Sequence, residues 1–96
     1  MITHLVGWNL TAEDKDAGAV AVKHALESLV GVVPGLLDLT VARNAVAVDR
    51  NSELALVSHF ETEDDLRVYL THPAHLAAVE VVRANTTDRW AIDLEL

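Results

Sequence analysis

A chain of 96 residues can bury one modest core and no more, so it reads as a single domain, 1–96. Fifteen acidic against seven basic side chains give a net charge of −8 with no Lys/Arg run, which argues against nucleic acid and against an anionic membrane surface as partners. Cysteine is absent, which excludes disulfides, thiolate nucleophiles and cysteine-bound metal. Residues 1–10 show no signal-peptide pattern and no apolar run is long enough to span a membrane, so the expectation is a soluble, cytoplasmic domain.

Residues 2–10 alternate as a strand, with Ile2, His4, Val6 and Trp8 on one face and Thr3, Leu5, Gly7 and Asn9 on the other. Thr11 is the candidate N-cap of a helix whose first turn holds Glu13 and Asp14 and which runs to about Val30. Gly18, Val22, Ala25, Leu26 and Leu29 form its packing stripe, with Gly18 admitting a strand at close range. Asp16, Lys23 and Glu27 mark the wet side, and His24 lies with them at the surface. Gly31 supplies a C-cap, and Pro34-Gly35 ends the connection.

Residues 36–42 return to strand character. The stretch 43–53 is ambiguous: 45–48 can prolong the strand, while Asn44, Asp49, Asn51 and Ser52 favour a turn-rich connection. A third strand, 54–61, sets Leu54, Leu56, Ser58 and Phe60 against Ala55, Val57, His59 and Glu61. If Phe60 faces a cavity, His59 points under the helices and is structural. Thr62 caps a short helix carrying Leu66, Val68, Tyr69 and Leu70. It breaks at Thr71-His72-Pro73, because the residue before proline avoids helical dihedrals. Pro73 then opens a further helix with Leu76, Val79 and Val82 or Arg83 along its stripe, stopped at 85–87. Residues 88–96 alternate Trp90, Ile92 and Leu94 against Arg89, Ala91 and Asp93.

The order β-α-β-β-α-β predicts an antiparallel four-stranded sheet with both helices on one face. A sheet face that meets water should be polar, yet both faces of the first and third strands are apolar. With 51% of residues hydrophobic, the uncovered face calls for a second copy packed sheet against sheet, a homodimer.

The one dense polar constellation is Tyr69-Leu70-Thr71-His72-Pro73-Ala74-His75, with His4 and His59 contributed by strands. An imidazole can take a proton near neutrality, and a phenol can hold a developing enolate oxygen. The competing reading is structural, with His72 a helix cap, Tyr69 a core edge and His4 a satisfied strand residue. No metal is expected: Pro73 spoils the His72/His75 pair and no H-E-x-x-H pattern exists. No cofactor-binding pattern occurs either. Trp8 and Trp90 wall a ligand cavity or pack a dimer core, and Asp93 orients a neighbour or is solvated.

His4 in the opening strand, Val33-Pro34-Gly35, Phe60-Glu61, Tyr69-x-x-His72-Pro73-x-His75 and Asp93 in the last strand occur in this order over essentially the whole chain. In this the sequence resembles the stress-responsive A/B barrel domain (Dabb) family, which includes a plant polyketide cyclase, olivetolic acid cyclase. The resemblance implies a ferredoxin-like subunit that dimerises into an α+β barrel. It places an acid–base pair on Tyr69 and His75, with His4 and His72 in the same cavity. Val6, Trp8, Leu54, Phe60 and Trp90 complete the substrate-binding set. Leu54 stands where the cyclase has a further cavity histidine. The implied function is cofactor-independent acid–base chemistry, cyclase-, lyase- or isomerase-like, on a small carbonyl or polyketide-like compound. The alternative is a non-catalytic homodimer that is stress-related or binds a small apolar or aromatic molecule. Oxidation of a small aromatic is a distant third, since related barrels include cofactor-free monooxygenases.

Overall fold

The computed structural model describes residues 1–96 as β1 (Ile2–Leu10), α1 (Lys15–Glu27), β2 (Leu36–Arg43), β3 (Leu54–Phe60), α2 (Glu63–Thr71), α3 (Pro73–Asn85) and β4 (Thr86–Glu95). The strands form one antiparallel sheet in the order β2-β3-β1-β4. This is the ferredoxin-like β-α-β-β-α-β fold, its second helix split in two. The period-2 pattern of β1 decides which face is covered. His4, Val6, Trp8 and Leu10 are buried, and opposite them on β3 lie Ser58, Leu56 and Leu54. Val22 and Leu26 of α1, Leu66 and Tyr69 of α2, and Ala78 and Val82 of α3 close over that face to complete the core. No helix is long and apolar enough to cross a membrane.

Several boundaries differ from the sequence reading. The cap of α1 is Asp14, whose carboxylate accepts from Ala17 N–H at 3.0 Å. Thr11 instead donates its backbone N–H to Asn85 O, so the chain is tied to the end of α3 before helix can begin. The helix also ends at Glu27, short of Val30, and Gly18 approaches Ala12 and Asn85 where α1 meets α3, with no strand involved. Residues 44–53 carry no strand; Asn44 Nδ2 donates to Val46 O and stabilises a turn. β4 starts at Thr86, earlier than expected, and its pairing with β1 shifts register between Gly7 and Asn9.

Lys23 and Glu27 do more than face water. They pair at 2.7 Å, Lys23 Nζ donates to Val41 O, and Val41 N–H donates to Glu27 Oε2. The outward-facing backbone of edge strand β2 is thereby occupied at Val41.

The other sheet face has no helix over it. It presents Leu5, Val57, Trp90 and Ile92, the last two 43% and 49% exposed. Gly7 lets the Trp90 indole lie directly on β1, since a Cβ there would enter the ring. Trp90 Nε1–H donates to Ser52 Oγ at 2.7 Å. His59 belongs to this open face, not under the helices, and pairs with Asp38 across β2–β3 at 2.6 Å. Both pleat faces being apolar, the alternation alone had not shown which one the helices cover.

Candidate functional site

The break between α2 and α3 builds the site. His72 adopts φ −65° and ψ 134°, the extended backbone that a following proline imposes, and Pro73 occupies the first turn of α3. In an unbroken helix Ala74 N–H would bond Leu70 O. Here it donates to His72 Nδ1 at 3.0 Å, which leaves the Leu70 carbonyl unclaimed by backbone. His75 Nδ1 lies 3.2 Å from that carbonyl. A carbonyl oxygen can only accept, so Nδ1 carries the hydrogen and Nε2 of a neutral ring keeps a free lone pair. The bend also sets His75 beside Tyr69, their ring centroids 4.2 Å apart.

A cavity of about 350 Å³ opens between this junction and the sheet. His4, Val6 and Trp8 of β1 form its floor, Tyr69 and His75 one wall, Leu76, Val79 and Val82 of α3 the roof, and Arg83 and Arg89 its charged border. Tyr69 is 1% exposed and packs on Phe60 at 5.2 Å. Its hydroxyl has no partner within the chain, yet no buried side-chain oxygen or nitrogen is left unsatisfied, so the hydroxyl reaches the cavity. Burial pushes the phenol pKa well above its ordinary value, so the group remains a donor. His75 is half-buried. Withdrawal of water lowers its pKa below 6.5; the Leu70 carbonyl opposes this, while the Arg89 guanidinium adds to it. The imidazole is held neutral.

On the sheet side, register places His4 opposite Asp93, and Asp93 Oδ1 accepts from His4 Nδ1–H at 2.5 Å. That contact fixes the His4 tautomer and turns Nε2 away from the carboxylate. Of the residues expected at the site, the structure gathers His4, Val6, Trp8, Tyr69 and His75 on the cavity. Leu54 and Phe60 are buried in the core behind it, His72 serves as the α3 cap, and Trp90 lies on the opposite sheet face. Arg83 and Arg89 were not singled out by sequence. Their signal was slight: Arg83 occupies a helical stripe otherwise apolar, and Arg89 shares a strand side with Ala91 and Asp93. No three His, Cys, Asp or Glu side chains converge as a metal site would require.

The arrangement is that of a small apolar chamber with a neutral base and a phenolic donor side by side. The sequence profile of the stress-responsive A/B barrel domain family matches residues 2–96. The chain belongs to that family. Solved structures share the Dabb fold along the whole chain. A dimeric ferredoxin-like protein of unknown function from Bacteroides fragilis aligns with a TM-score of 0.87 and 26% identity, over 99% of this chain and 95% of that one. A dimeric ferredoxin-like protein of unknown function from Thermobifida fusca aligns at 0.85 and 25%, over 99% and 90%. SnoaB of Streptomyces nogalater, a cofactor-independent oxygenase, shares the fold at 0.79 and 17%, over 99% and 91%. No curated protein matches this Dabb chain in sequence.

Proposed function

We propose that this protein is a homodimeric, cofactor-independent acid–base enzyme acting on a small carbonyl or polyketide-like compound. The observation that carries the reading is the Tyr69–His75 pair: a neutral imidazole with Nε2 free and a phenol with its hydroxyl unengaged, on one cavity. A substrate carbonyl accepts from the Tyr69 O–H while Nε2 of His75 removes the proton from the adjacent carbon. The electron pair of that C–H bond becomes the enolate C=C, and the carbonyl π pair moves onto oxygen, where the phenol stabilises it. The enolate then attacks a second carbonyl of the same molecule or is reprotonated elsewhere, giving cyclisation or isomerisation, and His75 returns the proton. The apolar walls exclude water and so strengthen both polar contacts. His4, held by Asp93, orients the substrate from the sheet side.

The dimer is supported by the uncovered apolar face of the sheet and by the dimeric relatives. A cytoplasmic location fits the absence of cysteine. The test is a turnover screen of β-keto and polyketide-like carbonyl compounds, with His75→Ala as the control. Removal of the base should lower turnover by about a hundredfold or more while the fold persists. Saturable binding of such compounds with no turnover by the wild type would instead establish a small-molecule-binding protein.

A further inference from the structure

We propose that the ligand of the cavity is an apolar ketone bearing a carboxylate, which Arg83 and Arg89 hold at the cavity border while the carbonyl lies against Tyr69 and His75. The carbonyl half of this rests on the function proposed above; the carboxylate half rests on charge. Among fifteen acidic side chains an arginine readily finds a partner, and Lys15, Lys23, Arg43 and Arg67 each pair with a carboxylate. Of the three basic side chains left without one, Arg83 and Arg89 line the same cavity, reaching it from α3 and from β4. A protein of charge −8 repels anions at distance, so it gains an anionic ligand only through unneutralised cations at the point of binding. Two guanidiniums present forked donors that match carboxylate geometry. Arg89 lies on the helix side of β4 with Asp93, away from the open face of Trp90 and Ile92, so dimerisation through that face leaves it free. Arg89 also helps to keep His75 unprotonated, and a carboxylate bound there cancels that influence, so the base strengthens when the ligand is in place.

The test titrates the full chain with 4-oxooctanoate, its methyl ester and octyl phosphate, read by calorimetry. The acid should bind about tenfold or more tighter than the ester, the contribution expected of charge-assisted hydrogen bonds. In Arg83→Gln/Arg89→Gln that advantage should vanish while ester affinity is kept, which also reports an intact cavity. Equal binding of acid and ester, no binding of the acid, or an acid preference that survives the double substitution would overturn the proposal. Tighter binding of octyl phosphate than of the acid would overturn the carboxylate assignment. These readings are independent of turnover. A His75→Ala variant that turns over substrate normally would sink the acid–base function and leave the anion site standing.

Discussion

Tyr69→Phe separates chemistry from architecture more cleanly than any other change. The ring is buried against Phe60 and His75, and phenylalanine keeps that packing. The lost hydroxyl has no partner in the chain, so no intramolecular hydrogen bond disappears with it. Deleting a hydroxyl that opens on the cavity and bonds nothing in the chain is close to neutral, and the stability change should stay within about 0.5 kcal/mol. For a domain of this size that moves Tm by less than about 4 °C. Truncation to Tyr69→Ala would by contrast cost about 3–5 kcal/mol through the cavity it leaves. If the phenol holds a developing oxyanion, Tyr69→Phe should lower kcat about a hundredfold to a thousandfold, equivalent to about 2.7–4 kcal/mol of transition-state stabilisation. Thermal melts and initial rates on the substrate found by screening measure both. Turnover within threefold of wild type would refute the donor role. A destabilisation above about 1 kcal/mol would refute the claim that the hydroxyl is unengaged.

His72→Ala removes the side chain that caps Ala74 and should cost about 1 kcal/mol, a Tm drop of about 4–8 °C, with His72→Asn restoring most of it; equal melting of all three proteins would remove the capping role. Turnover, which requires neutral His75, should persist as pH falls through 6.5, the ordinary histidine value, and fail only below it. The same depression means that the unfolded chain protonates first on acidification. His75 therefore lowers stability below pH 6.5 and contributes no pH dependence well above it, and an NMR titration of the His75 ring with a midpoint at or above 6.5 would contradict both statements. Wild type should sediment at twice the chain mass of 10.4 kDa and Ile92→Asp, on the open face, at that mass; a monomeric wild type or a dimeric variant counts against the proposed interface.

Much of this was legible in the sequence because it is written locally. The alternation of β1, the Thr62 cap and the His72-Pro73 break all depend on residues within a turn of one another, and each is where it was expected. What was not legible depends on distant partners. Thr11 is as good a cap by type as Asp14, and it is the Asn85 carbonyl, 74 positions on, that takes its N–H. Asp93 reads from sequence as an end-of-strand carboxylate, commonly just solvated, and only the β1–β4 register sets it across from His4 as an orienting partner. Trp90 and His59 went to the open face because two apolar pleats look alike until the helices choose one. The border arginines differ from Lys15, Lys23, Arg43 and Arg67 in lacking a carboxylate partner, and the pairings of Lys15 and Arg43 are tertiary.

The Lys23–Glu27 clasp on Val41 bears on how copies of this chain can join. A sheet whose two outer strands are both free can add strands at either side without end, which is the geometry of a fibre. Here one side is stoppered: a strand arriving at β2 would have to displace a lysine, a carboxylate and the helix that carries them. Only the β4 side remains for strand addition. Two molecules that met along β4 would present a stoppered β2 at each outer end, and growth would halt at a pair. At Val41, then, an ion pair carried by one helix already holds the backbone N–H and carbonyl that a strand arriving along β2 would need.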